Sequence, residues 1–304
     1  MFSINCLGSL IEQKAEVVKN TNSRRSSSSE TTMGGRRSSS VYRDIVCLII
    51  FSLLTAINAE DHNSEVDDEH EFTYLKNSSK GPEHWGSLKK EWKLCSVGKF
   101  QSPINIIEEK VLVSSKTGTL RRNHKPAHAV LRNRGHDVMV EWNGDTMGTN
   151  LTYNLLQCHW HMPSEHTING RRYDLEMHMV HRNSQEKLAV IAILYDLGRS
   201  DPFLDKILAN ISHFLKGGEK IDLGVVNPWD INLRSKKYYR YMGSLTIPPC
   251  TEGVLWTLID KVGTISKEQI ATLKKIVHDD FENNARPPQP LNDRIVSKYF
   301  QDIQ

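Results

Sequence analysis

A chain of 304 residues with 38% hydrophobic and 25% charged residues has the composition of an ordinary globular protein, which excludes fibrous and wholly disordered classes. The formal net charge of +3 resides in the first 59 residues, and acidic and basic residues balance in the rest. Without clustered Lys and Arg there is no electrostatic footprint for a phosphate backbone, so no nucleic-acid partner is expected.

From Asn22 to Ser40 the chain is rich in Ser and Arg and lacks the apolar periodicity that orders a core. The segment that follows, from Ile45 to Ala59, reads IVCLIIFSLLTAINA, uncharged and ending in small residues. It has the form of a secretory signal, with an h-region at about residues 45–56 and cleavage near Ala59. The run is shorter than the ~20 apolar residues of a membrane span before Glu60 and Asp61 interrupt it, so no stable span is expected after cleavage. Met33 opens a basic segment of ordinary length ahead of that run. Residues 1–32 are therefore either an alternative start or an aid to organelle import, and Glu12, Glu16 and Glu30 weigh against import. The expected organisation is an N-terminal extension with signal peptide over 1–59 and one domain over 60–304.

Cys6 and Cys47 would leave with the extension. Cys95, Cys158 and Cys250 remain, an odd number for an oxidising compartment that leaves room for one pair and one spare. Three N-glycosylation triplets, at Asn77, Asn150 and Asn210, fit a secretory route.

Beyond Glu60 an acidic, polar stretch leads through Trp85, Trp92, Gly98 and Pro103, an irregular approach punctuated by turn residues. Alternating or near-continuous apolar runs then predict strands over His136–Trp142, Leu156–His161, Leu175–His181 and Leu188–Leu194. Helical periodicity predicts Asp201–Phe214 and Lys267–Val277, the second opened by Ser266 as N-cap. There is no internal repeat.

In Gln157-Cys158-His159-Trp160-His161 the period of two puts Gln157, His159 and His161 on one face and Cys158 and Trp160 on the other. Adjacent same-face residues lie ~6.6 Å apart along a strand, close enough for both rings to reach one ion at Zn–N bonds of about 2.0–2.1 Å. Leu175–Val180 offers a third imidazole, His178, which shares its face with Glu176 and Val180. A His-x-His pair alone also occurs as ordinary decoration of a sheet face.

The surrounding text is more specific. QCHWHMPSEHTINGRRYDLEMHMVH, together with GPEHWGSL, QSPINI, NRGHDVMV and YMGSLTIPPCTEGVLW, resembles the α-carbonic anhydrases, most closely those of the plant secretory pathway, over Phe72 to about Arg294. The resemblance implies a β-dominated α+β fold, a single domain around a large, mostly antiparallel twisted central sheet with a few short helices outside. It implies an enzyme that hydrates carbon dioxide reversibly to bicarbonate and a proton through attack by zinc-bound hydroxide, carbonic anhydrase being the reference case for this chemistry.

By the same likeness one Zn2+ is held by His159, His161 and His178, and Gln157 and Glu176 hydrogen-bond two of those rings from behind. Thr246 and Glu165 match the pair that orients the nucleophile. Val180, Val190, Leu245, Ile247, Val254 and Trp256 fall in the substrate niche, though plain core packing would suit them equally. His136 matches a proton-exporting imidazole, expected to reach solvent. Tyr74 resembles a tyrosine that orders the water chain, although its spacing to Pro82 differs. His124, His128, His213 and His278 match nothing catalytic. Arg134, Met139 and Ile247 replace smaller or polar side chains, which bears on rate rather than on reaction. Secreted relatives imply a Cys95–Cys250 disulfide.

Two competing readings are a binding or storage protein on this fold that has lost catalysis, and a secreted zinc hydrolase of another class. Intact ligands disfavour the first; the absence of a His-Glu-x-x-His helix and a Gly-x-Ser-x-Gly elbow disfavours the second. The expected partners are small molecules, carbon dioxide and bicarbonate, with the chain a monomer or weak homo-oligomer. The expected destination is the secretory pathway, leading to the cell wall, the vacuole, or the chloroplast stroma reached through that route.

Overall fold

The computed structural model describes residues 71–114, 120–143, 152–209, 220–233, 235 and 237–300. The signal-peptide and cleavage expectations lie outside the described residues, as do Asn150, Asn210 and His213. Fourteen strands are described: β1 (Asn105–Ile106), β2 (Leu112–Ser114), β3 (Ala127–Asn133), β4 (Val138–Trp142), β5 (Asn154–His161), β6 (Thr167–Ile168), β7 (Arg171–Arg172), β8 (Leu175–Arg182), β9 (Leu188–Leu197), β10 (Lys220–Val226), β11 (Lys237–Ser244), β12 (Glu252–Ile259), β13 (Gly263–Ile265) and β14 (Ser297–Phe300).

Ten of them form one path, β10-β3-β4-β5-β8-β9-β12-β11-β14-β2, with β13 paired to β9; β1, β6 and β7 make a small second sheet. Neighbours in the large sheet are antiparallel except β9–β12, β9–β13 and β14–β2. The mostly antiparallel, β-dominated fold expected from the sequence is the one observed. β8 and β9 sit mid-sheet and are buried on both faces, which explains their near-continuous apolar text. One core cluster, with Cys158, Trp160, Met177, Met179 and Ile193, packs on one face, and a second, with Val180, Val190, Val254 and Trp256, on the other.

The described helices are short: α1 (Trp85–Leu88), α2 (Leu94–Val97), α3 (Pro202–Leu208) and α4 (Lys267–Ile276). α3 opens with Pro202 behind Asp201, whose side chain accepts from the Leu204 N–H. α3 ends at Leu208, and the expected continuation over residues 210–214 lies outside the described residues. α4 begins with the anticipated Ser266 cap, completed by Gln269 into a capping box. The Gln269 amide also bonds to Asp201 and Asp205, fastening α4 to α3.

Several strand boundaries differ from expectation: β5 opens two residues earlier, at Asn154, β8 runs one residue longer, to Arg182, and β9 three residues longer, to Leu197. β4 starts at Val138 rather than His136 because Arg134–Asp137 forms a turn: the Arg134 N–H donates to the Asp137 carbonyl at 3.0 Å and Gly135 takes a φ of 79°. Only glycine adopts that left-handed conformation without strain.

Candidate metal centre

The middle of the sheet brings three imidazoles together. Met139 of β4 lies opposite His159 of β5, His159 opposite His178 of β8, and His178 opposite Ala192 of β9. Alternation returns His161 to the same face, while Cys158 turns into the opposite core, where burial pushes its thiol well above the ordinary range. Ring centroids are separated by 5.0 Å (His159–His161), 5.2 Å (His159–His178) and 4.6 Å (His161–His178). All three rings are buried.

One nitrogen of each ring is engaged from behind. His159 Nδ1 lies 2.8 Å from Gln157 Oε1, His161 Nδ1 2.7 Å from the carbonyl of Asn284, and His178 Nε2 2.7 Å from Glu176 Oε1. Those oxygens accept, so the engaged nitrogens carry the protons and each ring keeps a lone pair on the other nitrogen. The lone pairs therefore sit on Nε2 of His159 and His161 and on Nδ1 of His178. One such atom from each ring falls within 4.8 Å of the others, a grouping that could hold a metal ion.

Burial lowers the pKa of His159 and His178 despite the opposing pull of Asp137 on the first and Glu176 on the second, which keeps both rings in the neutral form that metal ligation needs. His161 Nε2 is buried without a hydrogen-bond partner, and Glu165 Oε2, 3.6 Å away, is in the same condition. Buried polar atoms are seldom left so. Three imidazoles, no thiolate among them and one orphaned ring nitrogen fit a metal ion.

Glu176 is the hub behind the centre. Its Oε2 accepts the backbone N–H groups of Glu165 and His166 at 2.8 and 2.7 Å, and its Oε1 takes His166 Nδ1 at 2.6 Å as well as His178. Burial works against its charge, yet His166 and His178 and their hydrogen bonds hold it well below the usual carboxylate range. The grouping of His166, Glu176 and His178 is thus a hydrogen-bonded hub, its two oxygens occupied by four N–H donors. The chain of contacts runs on from His166 Nε2 to the Tyr241 hydroxyl at 2.6 Å and from there to Ser102 Oγ at 2.8 Å.

Glu165 and Thr246, read as a hydrogen-bonded pair, are not bonded through Oε2, which has no partner; Oε1 accepts the Arg286 N–H at 2.9 Å. Thr246 stands on a loop closed by Leu245 N–H to Thr251 O and by Cys250 N–H to Ile247 O, both 2.9 Å. The disulfide falls where the resemblance put it: Cys250 at the end of that loop is bonded to Cys95 on α2. Of the expected niche, Val180, Val190, Leu245, Val254 and Trp256 share one core cluster, whereas Ile247, carried on the disulfide-tethered loop, packs in the other. The Trp256 ring stands 4.8 Å from that of His178.

His136 departs from expectation most. Expected to reach solvent, it is 1% exposed, with the rings of Phe72 and Phe281 at 5.5 and 6.2 Å. Aromatic side chains from the irregular N-terminal approach and the segment after α4 cover it, an arrangement between distant parts of the chain that no local pattern announces. Tyr74 lies in the same aromatic group, 5.4 Å from Trp85 and 6.0 Å from Phe281. Asn77 is exposed at the surface, as are His128 and His278. His124 is buried against His181, with ring centroids 5.3 Å apart.

The middle strands of a large mixed sheet thus carry a buried three-imidazole cluster that could hold a metal ion. The chain belongs to the eukaryotic-type carbonic anhydrase family, whose model matches residues 80–300. It is 49% identical to alpha carbonic anhydrase 4 of Arabidopsis thaliana over 83% of this chain and 95% of that one. Its fold is similar to that of dioscorin crystallised with ascorbate (TM-score 0.73, 44% identity, 77% of this chain and 100% of that one). It is also similar to the alpha-carbonic anhydrase of Thermovibrio ammonificans in complex with sulfanilamide (TM-score 0.68, 33% identity, 74% and 98%). The family as a whole supports carbon dioxide hydration; kinship with dioscorin means that kinship alone does not decide activity.

Proposed function

We propose that this chain hydrates carbon dioxide reversibly to bicarbonate and a proton, with one zinc ion held by His159, His161 and His178. The observation that carries the reading is the convergence of three buried ring nitrogens, each left with a lone pair because its partner nitrogen is engaged from behind. A zinc ion there supplies a Lewis-acidic open position that makes water a nucleophile at neutral pH.

The protein's part is positioning. Gln157, Glu176 and the Asn284 carbonyl fix the tautomers and orientations of the ligands. Glu165 Oε2, which has no hydrogen-bond partner of its own, would accept from the Thr246 hydroxyl. With its proton so committed, the Thr246 hydroxyl could only accept, and would orient the attacking nucleophile toward the substrate. Val180, Val190, Leu245, Val254 and Trp256 provide an apolar niche for an apolar substrate, and Ile247 borders it from the other cluster. His136 receives the exported proton inside the protein rather than at its surface, with Tyr74 beside the route.

A stopped-flow assay of carbon dioxide hydration on the purified zinc-loaded chain tests this reading; full zinc occupancy without hydration would favour the alternative of a binding or storage protein, the reading that kinship with dioscorin supports. In the same assay His136→Ala should lower kcat about tenfold or more in dilute buffer, the low end of what a positioned proton-transfer group contributes, while leaving kcat/KM nearly unchanged. Added imidazole should restore turnover, and an unchanged kcat would remove His136 from the mechanism.

The Cys95–Cys250 disulfide and the exposed Asn77 triplet support passage of a 60–304 domain through an oxidising secretory compartment after loss of residues 1–59. From there the cell wall, the vacuole or the chloroplast stroma is the destination. Among the described residues no helix is long and apolar enough to cross a membrane.

A further inference from the structure

The turn before β4 holds a buried ion pair that the reaction as outlined does not use. Both Asp137 carboxylate oxygens accept from Arg134, Oδ1 from Nε at 2.7 Å and Oδ2 from the guanidinium end, and the two side chains are 1% and 3% exposed. His159 is among the charges that act on Asp137, which puts this carboxylate in the neighbourhood of the metal ligands. On its other side Asp137 Oδ2 stands 3.8 Å from His136 Nε2. The carboxylate thus interacts with both a metal ligand and the ring read as proton acceptor.

We propose that Asp137, anchored by Arg134, is the positioning residue for proton export, its carboxylate keeping the enclosed His136 imidazole able to carry a proton. The proposal rests on the hydration reading above. Burial under Phe72 and Phe281 by itself favours the neutral ring, and a proton acceptor that cannot be charged is useless. An opposite charge within about 4–6 Å works the other way. Burial opposes ionisation of Asp137 too, but Arg134, His136 and the hydrogen bonds from Arg134 hold it far below the usual carboxylate range. The guanidinium keeps the carboxylate charged and prevents it from swinging toward the metal ligands. Of the charged groups, Asp137 stands beside the His136 ring and Arg134 is paired to Asp137 on its far side, with His159 acting on the same carboxylate, while Phe72 and Phe281 bring no charge.

The test is the titration of the His136 ring, followed by NMR in the full zinc-loaded chain, for wild type, Asp137→Asn and the double variant Arg134→Gln/Asp137→Asn. The double variant leaves no unpaired buried guanidinium and serves if the single one does not fold. In Asp137→Asn the midpoint should fall by about one unit or more, because the carboxylate is gone and the guanidinium is no longer neutralised. In the double variant it should fall by less. In Asp137→Asn kcat in dilute buffer should drop about tenfold, the counterpart of a one-unit shift, and in the double variant by less; in both it should recover with imidazole while kcat/KM stays level. An unchanged midpoint in whichever variant folds overturns the proposal. So does a wild-type ring that stays neutral down to pH 5, which needs no variant. A wild type that titrates as expected but does not hydrate carbon dioxide would instead sink the hydration reading.

Discussion

Purified His161→Ala should retain less than about a tenth of the wild-type zinc and lose carbon dioxide hydration with it. His161 is the most informative ligand to remove because its Nδ1 is held by a backbone carbonyl, that of Asn284, rather than by a side chain recruited for the purpose. Truncation therefore removes one lone pair from the centre and leaves the sheet row of His159 and His178 intact. Glu176→Gln is the graded comparison: it keeps the shape but removes the charge that accepts four N–H groups, and altering an outer partner of a metal ligand weakens metal affinity about 10–100-fold. The expected order of zinc affinity is wild type, then Glu176→Gln, then His161→Ala, measured by chelator competition on samples with unchanged circular dichroism. Full zinc retention by His161→Ala would remove His161 from the ligand set.

The second large effect concerns Cys95 and Cys250. The disulfide spans 155 residues, for which restriction of the unfolded chain is worth about 5 kcal/mol, an upper value because residual structure in the unfolded state reduces it. It also tethers the loop that carries Thr246, a loop held further by Gln101 Nε2 donating to the Cys250 carbonyl at 3.1 Å. The Cys95→Ala/Cys250→Ala variant should unfold at markedly lower denaturant and with a steeper slope, because its unfolded chain is no longer held compact by the bridge. Its hydration rate should fall by more than its zinc content, since the loop loosens while the histidines stay on their strands. Equal stability with and without the bridge would contradict this account of the link.

What was legible in the sequence was what depends on short periods. Two-residue alternation around His159 and His161, and again around His178, put ligands and apolar neighbours on their observed faces, and Ser266 announced α4 because a cap is a local device. What depends on residues far apart was not. The burial of His136 comes from Phe72 and Phe281, the partner of His161 is a main-chain carbonyl at Asn284, and the hub through His166, Tyr241 and Ser102 joins three distant segments. A backbone oxygen has no letter in the sequence. The shift of β4 to Val138 had a local signal after all: Gly135 within NRGHD marks a turn, and alternation running into it obscured the fact.

The most direct test of the central claim is to strip the wild-type chain of metal with a chelator and titrate zinc back while following carbon dioxide hydration. The rate should rise linearly and break at one equivalent of zinc per chain, because the convergent ring nitrogens of His159, His161 and His178 would hold one ion. Hydration that persists in the stripped protein, or a chain that takes up one equivalent and stays inactive, would contradict it.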